Sequence, residues 1–113
     1  MNEESKLNKN DMKKKIYISG AIAHYDPEER RRAFDDAERY LSLKGFDPVN
    51  PFKNGLPPEA HWRQHMRADI ALLLDCDCIY MLAGWELSKG AKLELDVASS
   101  CGIEVMFENQ FNL

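Results

Sequence analysis

Four short apolar runs separated by three amphipathic stretches set the frame of the chain. Ile16-Tyr17-Ile18-Ser19 is β-branched and aromatic and is closed by Gly20, which predicts a buried strand. Asp26 then offers a helix cap, Pro27 suits the first helical position, and Glu29 stands at capping-box spacing from Asp26. Ala33, Phe34, Ala37, Tyr40 and Leu41 follow at helical spacing, and Gly45 marks the stop. Phe46-Asp47-Pro48-Val49 predicts a second strand, placed at a sheet edge because Pro48 has no N–H. Asn50 to Pro58 reads as loop, punctuated by Pro51, Gly55, Pro57 and Pro58.

Trp62, Met66, Ile70 and Leu73 trace the apolar stripe of a helix predicted from Glu59 to Leu74. Cys76 to Leu82, nearly apolar apart from Asp77, reads as a third strand with both faces covered. Ala83 to Leu87 is loop, Ser88 caps a third helix over Lys89 to Ser100, and Gly102 ends it. Ile103 to Phe107 is the fourth strand. Strands and helices therefore alternate, which predicts a parallel sheet with right-handed crossovers. The expected fold class is α/β, a small doubly wound (flavodoxin-like) sandwich of about four strands flanked by helices. Ligands of such sheets bind at the carboxyl ends of the strands. The segments that matter for function are therefore Ser19–Tyr25, Asn50–Leu56 and Ala83–Ser88.

With 113 residues the chain makes one domain. Residues 1–13 read as a disordered polar tail and 14–113 as the domain; Lys13-Lys14-Lys15 is a charged lead-in to the first strand. Fifteen basic against 19 acidic residues, a net charge of −4, argue against a protein that coats nucleic acid. No run approaches the roughly 20 apolar residues of a membrane span, and the first residues lack the apolar core of a secretory signal. Three cysteines, Cys76, Cys78 and Cys101, form no CxxC pair and read as reduced thiols. A cytoplasmic protein is expected.

Phosphate-loop motifs are missing: there is no GxxxxGK[ST], and no GxGxxG after the first strand. Ser88-Lys89-Gly90 at a helix start serves either as an ordinary cap or as an anion cradle. His61 and His65 stand four apart on a predicted helix, but the glutamate of HExxH is absent, and no metal or other cofactor is expected. Cys76 and Cys78, predicted on one strand face, pack as small hydrophobes. Glu94 and Asp69 stand out because each interrupts an apolar helix stripe, which costs free energy unless the acid is paired or lines a cleft. Either they border the stripes and pair with Arg63, Lys89 or Lys92, or they are chemical groups. In the second case Tyr17, near the carboxyl end of the first strand, can give its hydroxyl to Glu94.

Several segments recur together in one family: Lys15-Ile16-Tyr17-Ile18-Ser19-Gly20, Val49-Asn50-Pro51, Arg67-Ala68-Asp69-Ile70, and the block Gly84-Trp85-Glu86 through Ser88, Gly90-Ala91 and Leu93-Glu94. From Lys15 to Phe107 the chain resembles the nucleoside 2-deoxyribosyltransferase-like superfamily, in particular its small bacterial and phage branch. More distantly it is similar to the 2′-deoxynucleoside 5′-phosphate N-hydrolases. The resemblance implies attack on the N-glycosidic bond of a deoxynucleoside or its monophosphate. It implies Glu94 as nucleophile, Tyr17 as the group that orients it, and Asp69 as the acid that handles the base and its leaving proton. Gly20, Ser88, Gly90, Trp85 and His24 are the substrate-binding candidates. Ser88 matches the serine that helps hold the 5′-phosphate in the monophosphate hydrolases. Ala21 and Ala23 stand where those enzymes carry a serine and an arginine, leaving His24 or one of Arg30 to Arg32 as a substitute. The superfamily builds its site with a neighbouring subunit, which implies a homodimer. The alternative function is a non-catalytic protein that binds a nucleotide or metabolite in the same pocket.

Overall fold

Alternation along the first strand decides the layering. β1 (Lys15–Ser19) sends Ile16 and Ile18 to one face of the sheet and Tyr17 and Ser19 to the other. On the first face, α1 (Pro27–Leu43) packs Phe34, Ala37 and Leu41 against Ile16 and Ile18. Cys78 and Tyr80 of β3 (Cys78–Met81) join that cluster. On the second face, α2 (Trp62–Leu74) and α3 (Lys89–Ser100) bring Leu73, Ala91 and Ala98 onto Tyr17, Ile79 and Met81. Phe34 and Leu41 are almost fully enclosed, and burial of each such side chain contributes roughly 2 kcal/mol.

β2 (Asp47–Val49) and β4 (Glu104–Phe107) complete the sheet, whose order is β2-β1-β3-β4 with every pair parallel. This is a doubly wound α/β fold with one helix on one face and two on the other. The chain reverses its direction of winding between β1 and β3, so a crevice is expected where these two strands end. The computed structural model describes residues 13–108; the expected tail lies outside the described residues apart from Lys13.

Most boundaries match the sequence reading. The Asp26 carboxylate accepts from the Glu29 N–H at 3.1 Å, Gly45 follows α1 at φ +96°, and β2 is an edge strand. Pro48 lies opposite Ile16, while the neighbouring Asp47 N–H donates inward to the Lys14 carbonyl at 2.9 Å. The ring nitrogen of Pro48 therefore faces outward. Three expectations need correction. α2 starts at Trp62 and not at Glu59, because Ala60 N–H closes a turn on the Pro57 carbonyl and His61 then caps the helix. The third strand is Cys78–Met81 and not Cys76–Leu82, because Cys76 still belongs to the turn that ends α2. Cys76 and Cys78 consequently lie on opposite faces of the sheet. Two of the expected loops also hold a single 3-10 turn each, at Pro51–Lys53 and Trp85–Leu87. Among the described residues no helix is long and apolar enough to cross a membrane.

Candidate active site

Tyr17 and Ser19, two residues apart on β1, aim their hydroxyls at the same carboxylate. Tyr17 donates to Glu94 Oε2 at 2.9 Å and Ser19 donates to Glu94 Oε1 at 2.6 Å. Glu94 stands on the second turn of α3 and is only 5% exposed. Neither Glu94 nor Asp69 forms a salt bridge among the described residues. Pairing with Arg63, Lys89 or Lys92 is thus not how these buried acids are accommodated. Burial pushes Glu94 up to about 7; the Ser19 and Tyr17 hydroxyls pull in the other direction, and the nearby charge of Asp69 adds to the rise. The Tyr17 hydroxyl is held well above its ordinary value, mainly by burial and then by the charge of Glu94.

Asp69, on the face of α2 that also carries Met66 and Leu73, is 6% exposed. Its Oδ1 accepts from the Asn54 side-chain amide at 2.9 Å. Burial raises its pKa, and the Asn54 hydrogen bond and the His65 ring oppose that rise. Asn54 sits just after the 3-10 turn whose cap, Asn50, accepts from the Phe52 N–H. Three elements thus converge at the carboxyl end of β1: α3 supplies Glu94, α2 supplies Asp69, and the β2–α2 loop supplies Asn54.

The remaining candidates surround this cluster unevenly. Gly20 follows β1 directly, and a Cβ there would lie 2.9 Å from Leu82 Cδ1, so the backbone crosses Leu82 too closely for a side chain. Ser88 caps α3, its oxygen accepting from the Ala91 N–H at 3.0 Å, and among the described residues nothing accepts its hydroxyl hydrogen. Gly90 lets α3 approach α2: a Cβ would stand 3.2 Å from Met66 Sδ. Trp85 turns toward the β4 edge, its ring 5.9 Å from that of Phe107. There it lines a cleft of about 430 Å3 with Met81, Gly84 and Glu108, which none of Tyr17, Asp69 or Glu94 reaches. His24 is exposed in the β1–α1 loop with φ +72°. Arg30 donates to the Ala21 carbonyl at 2.7 Å, and Arg31 lies over the Phe52 ring. Among the described residues no group of three or more His, Cys, Asp or Glu is arranged to hold a metal ion. His61 instead accepts from the Arg63 N–H as a cap.

Ser19 and Asn54 are the two participants that sequence reasoning missed. For Ser19 a signal existed: the strand period of two puts it on the face of Tyr17.

Residues 14–107 match the family described as Domain of unknown function (DUF4406). The chain belongs to the DUF4406 family. Among solved structures, this DUF4406 domain is similar to the CMP N-glycosidase BcmB of Clostridium botulinum. The TM-score is 0.57 at 21% identity, over 83% of this chain and 67% of that one. The likeness shows that this DUF4406 chain shares the α/β fold of that protein. No curated protein sequence matches it.

Proposed function

We propose that the protein cleaves the N-glycosidic bond of a deoxynucleoside or its 5′-monophosphate, as an N-glycosidase or deoxyribosyltransferase. The observation that carries this reading is a buried carboxylate, Glu94, gripped by two hydroxyls and by no cation, beside a second buried acid. Such a group is costly to a fold and suited to nucleophilic attack. The fold likeness to an N-glycosidase and the family motifs support the same chemistry.

In this reading Glu94 attacks C1′ of the sugar and the C1′–N bond breaks. The bonding pair leaves with the base, which takes up the proton held on Asp69. Water, or the N–H nitrogen of an acceptor base, then gives its proton to the ionised Asp69 and attacks C1′, which breaks the glutamyl ester and regenerates both Glu94 and the protonated Asp69. A 2-deoxy sugar suits this path because no electron-withdrawing 2′-hydroxyl opposes positive charge at C1′. Tyr17 and Ser19 fix the carboxylate for attack, and Ser88 at the start of α3 contacts the 5′ end of the sugar. The active unit is a homodimer in the cytoplasm.

The deciding experiment measures free base from a panel of deoxynucleosides and their monophosphates. Glu94→Gln keeps the side-chain volume and should reduce release by on the order of a thousandfold or more, while ground-state binding persists. A deoxyribosyl adduct should appear on the peptide containing Glu94. Ligand binding in calorimetry by a wild type that releases no base would assign the pocket to sensing instead.

A further inference from the structure

We propose that Asn54 is a positioning residue that fixes which oxygen of Asp69 carries the proton, with His65 and Leu56 setting the orientation of its amide. The inference rests on the proposed role of Asp69 as proton donor.

Both amide hydrogens of Asn54 and its oxygen are engaged. Its Oδ1 accepts from the Leu56 N–H at 2.9 Å. Its Nδ2 donates to Asp69 Oδ1 at 2.9 Å and lies 3.1 Å from His65 Nδ1. The other ring nitrogen, His65 Nε2, is 3.1 Å from the Pro57 carbonyl. A carbonyl can only accept, so in the neutral ring the His65 hydrogen is on Nε2 and Nδ1 is the acceptor for Asn54. The amide cannot be turned over without setting its oxygen against the Asp69 carboxylate and its NH2 against the Leu56 N–H.

The consequence falls on Asp69. Its Oδ1 receives an N–H, so a proton is better placed on Oδ2. Oδ2 has no hydrogen-bond partner among the described residues, and no fully buried side-chain N or O atom there lacks one. Oδ2 is therefore not fully buried and has a free acceptor face, while Oδ1 is engaged by Asn54. Asn54 thus occupies Oδ1 and leaves Oδ2 as the oxygen better placed to pass a proton to a departing base. The donated N–H also stabilises the charged form of Asp69 against its burial.

The test joins a direct titration to a comparison of leaving groups. Carboxyl 13C NMR follows Asp69 in the wild type and in Asn54→Ala, where its midpoint should rise by about one pH unit. Asn54→Asp keeps an oxygen for the Leu56 N–H, so the loop is held, and should shift the Asp69 midpoint in the same direction. In both variants the ratio of base release from a deoxynucleoside to nitrophenolate release from a nitrophenyl 2-deoxyriboside should fall about tenfold or more, since nitrophenolate departs without a proton. An Asp69 midpoint that stays put in both variants, or equal losses on the two substrates, overturns the proposal. A wild type that releases neither leaving group instead defeats the glycosidase reading, and the titration alone then decides the role of Asn54.

Discussion

A carboxylate buried without a cation must be held by neutral donors, and that places the titration of Glu94 where activity can report it. Burial pushes Glu94 up to about 7, so kcat/KM on a nitrophenyl 2-deoxyriboside should climb about tenfold per pH unit at lower pH and level off above that value. Tyr17→Phe deletes one of the two donors, and the midpoint should move up by about one pH unit. An unmoved midpoint would deny Tyr17 its part in holding the charge. Stability follows the same shift with a definite sign. The folded chain binds this proton more tightly than the unfolded chain, whose ordinary value is 4.5. The resulting stabilisation is complete below that value and is lost as pH rises through about 7, a change of about 3 kcal/mol at most. Glu94→Gln cannot ionise, so in urea melts it should match the wild type near pH ~4 and exceed it by up to about 3 kcal/mol at pH ~8. Parallel stability curves for the two proteins would mean that Glu94 titrates like an exposed acid. Glu94 and Asp69 were legible in the sequence because each breaks an apolar stripe. Asn54 was not, since side-chain hydrogen bonds within a loop follow no period.

Helix starts carry both the accuracy and the errors of the sequence reading. Asp26 and Ser88 are short polar residues one position before a helical stripe, and each caps its helix through its own oxygen. α2 begins at Trp62, the first residue of its apolar stripe and later than the expected Glu59, because a histidine took the capping role, for which composition gives no warning. In the proposed function the α3 cap also meets the substrate. Ser88→Ala should cost about 1 kcal/mol of stability by removing the acceptor for the Ala91 N–H. Ser88→Asp keeps an acceptor there and adds a negative charge at the proposed 5′ subsite. Its thermal midpoint should stay close to that of the wild type, while kcat/KM for monophosphates falls at least about tenfold relative to free deoxynucleosides. Equal effects on both substrate classes would place the 5′ end elsewhere.

At the scale of the whole molecule, the parallel order with its two covered faces was readable from the alternation of strands and helices. The contact of Tyr17 on β1 with Glu94 on α3 was anticipated, whereas the link from Asn54 in the β2–α2 loop to Asp69 on α2 was not, because contacts between distant segments leave no mark on local pattern. One consequence of the layout concerns how copies of the chain can associate. A sheet recruits foreign strands through the unpaired N–H and C=O groups along its rim. On the β2 side, the middle of that rim is Pro48, whose outward nitrogen has no hydrogen to offer. Joining of two sheets along β2 is thereby disfavoured, and the homodimer proposed above would form through other surfaces. Pro48→Val restores the missing donor with a residue that favours extended backbone. The wild type should form no assembly beyond the proposed dimer as concentration rises, whereas the variant should form larger, concentration-dependent assemblies that scatter light. A variant that keeps the wild-type mass would show that this rim is guarded by something other than its proline.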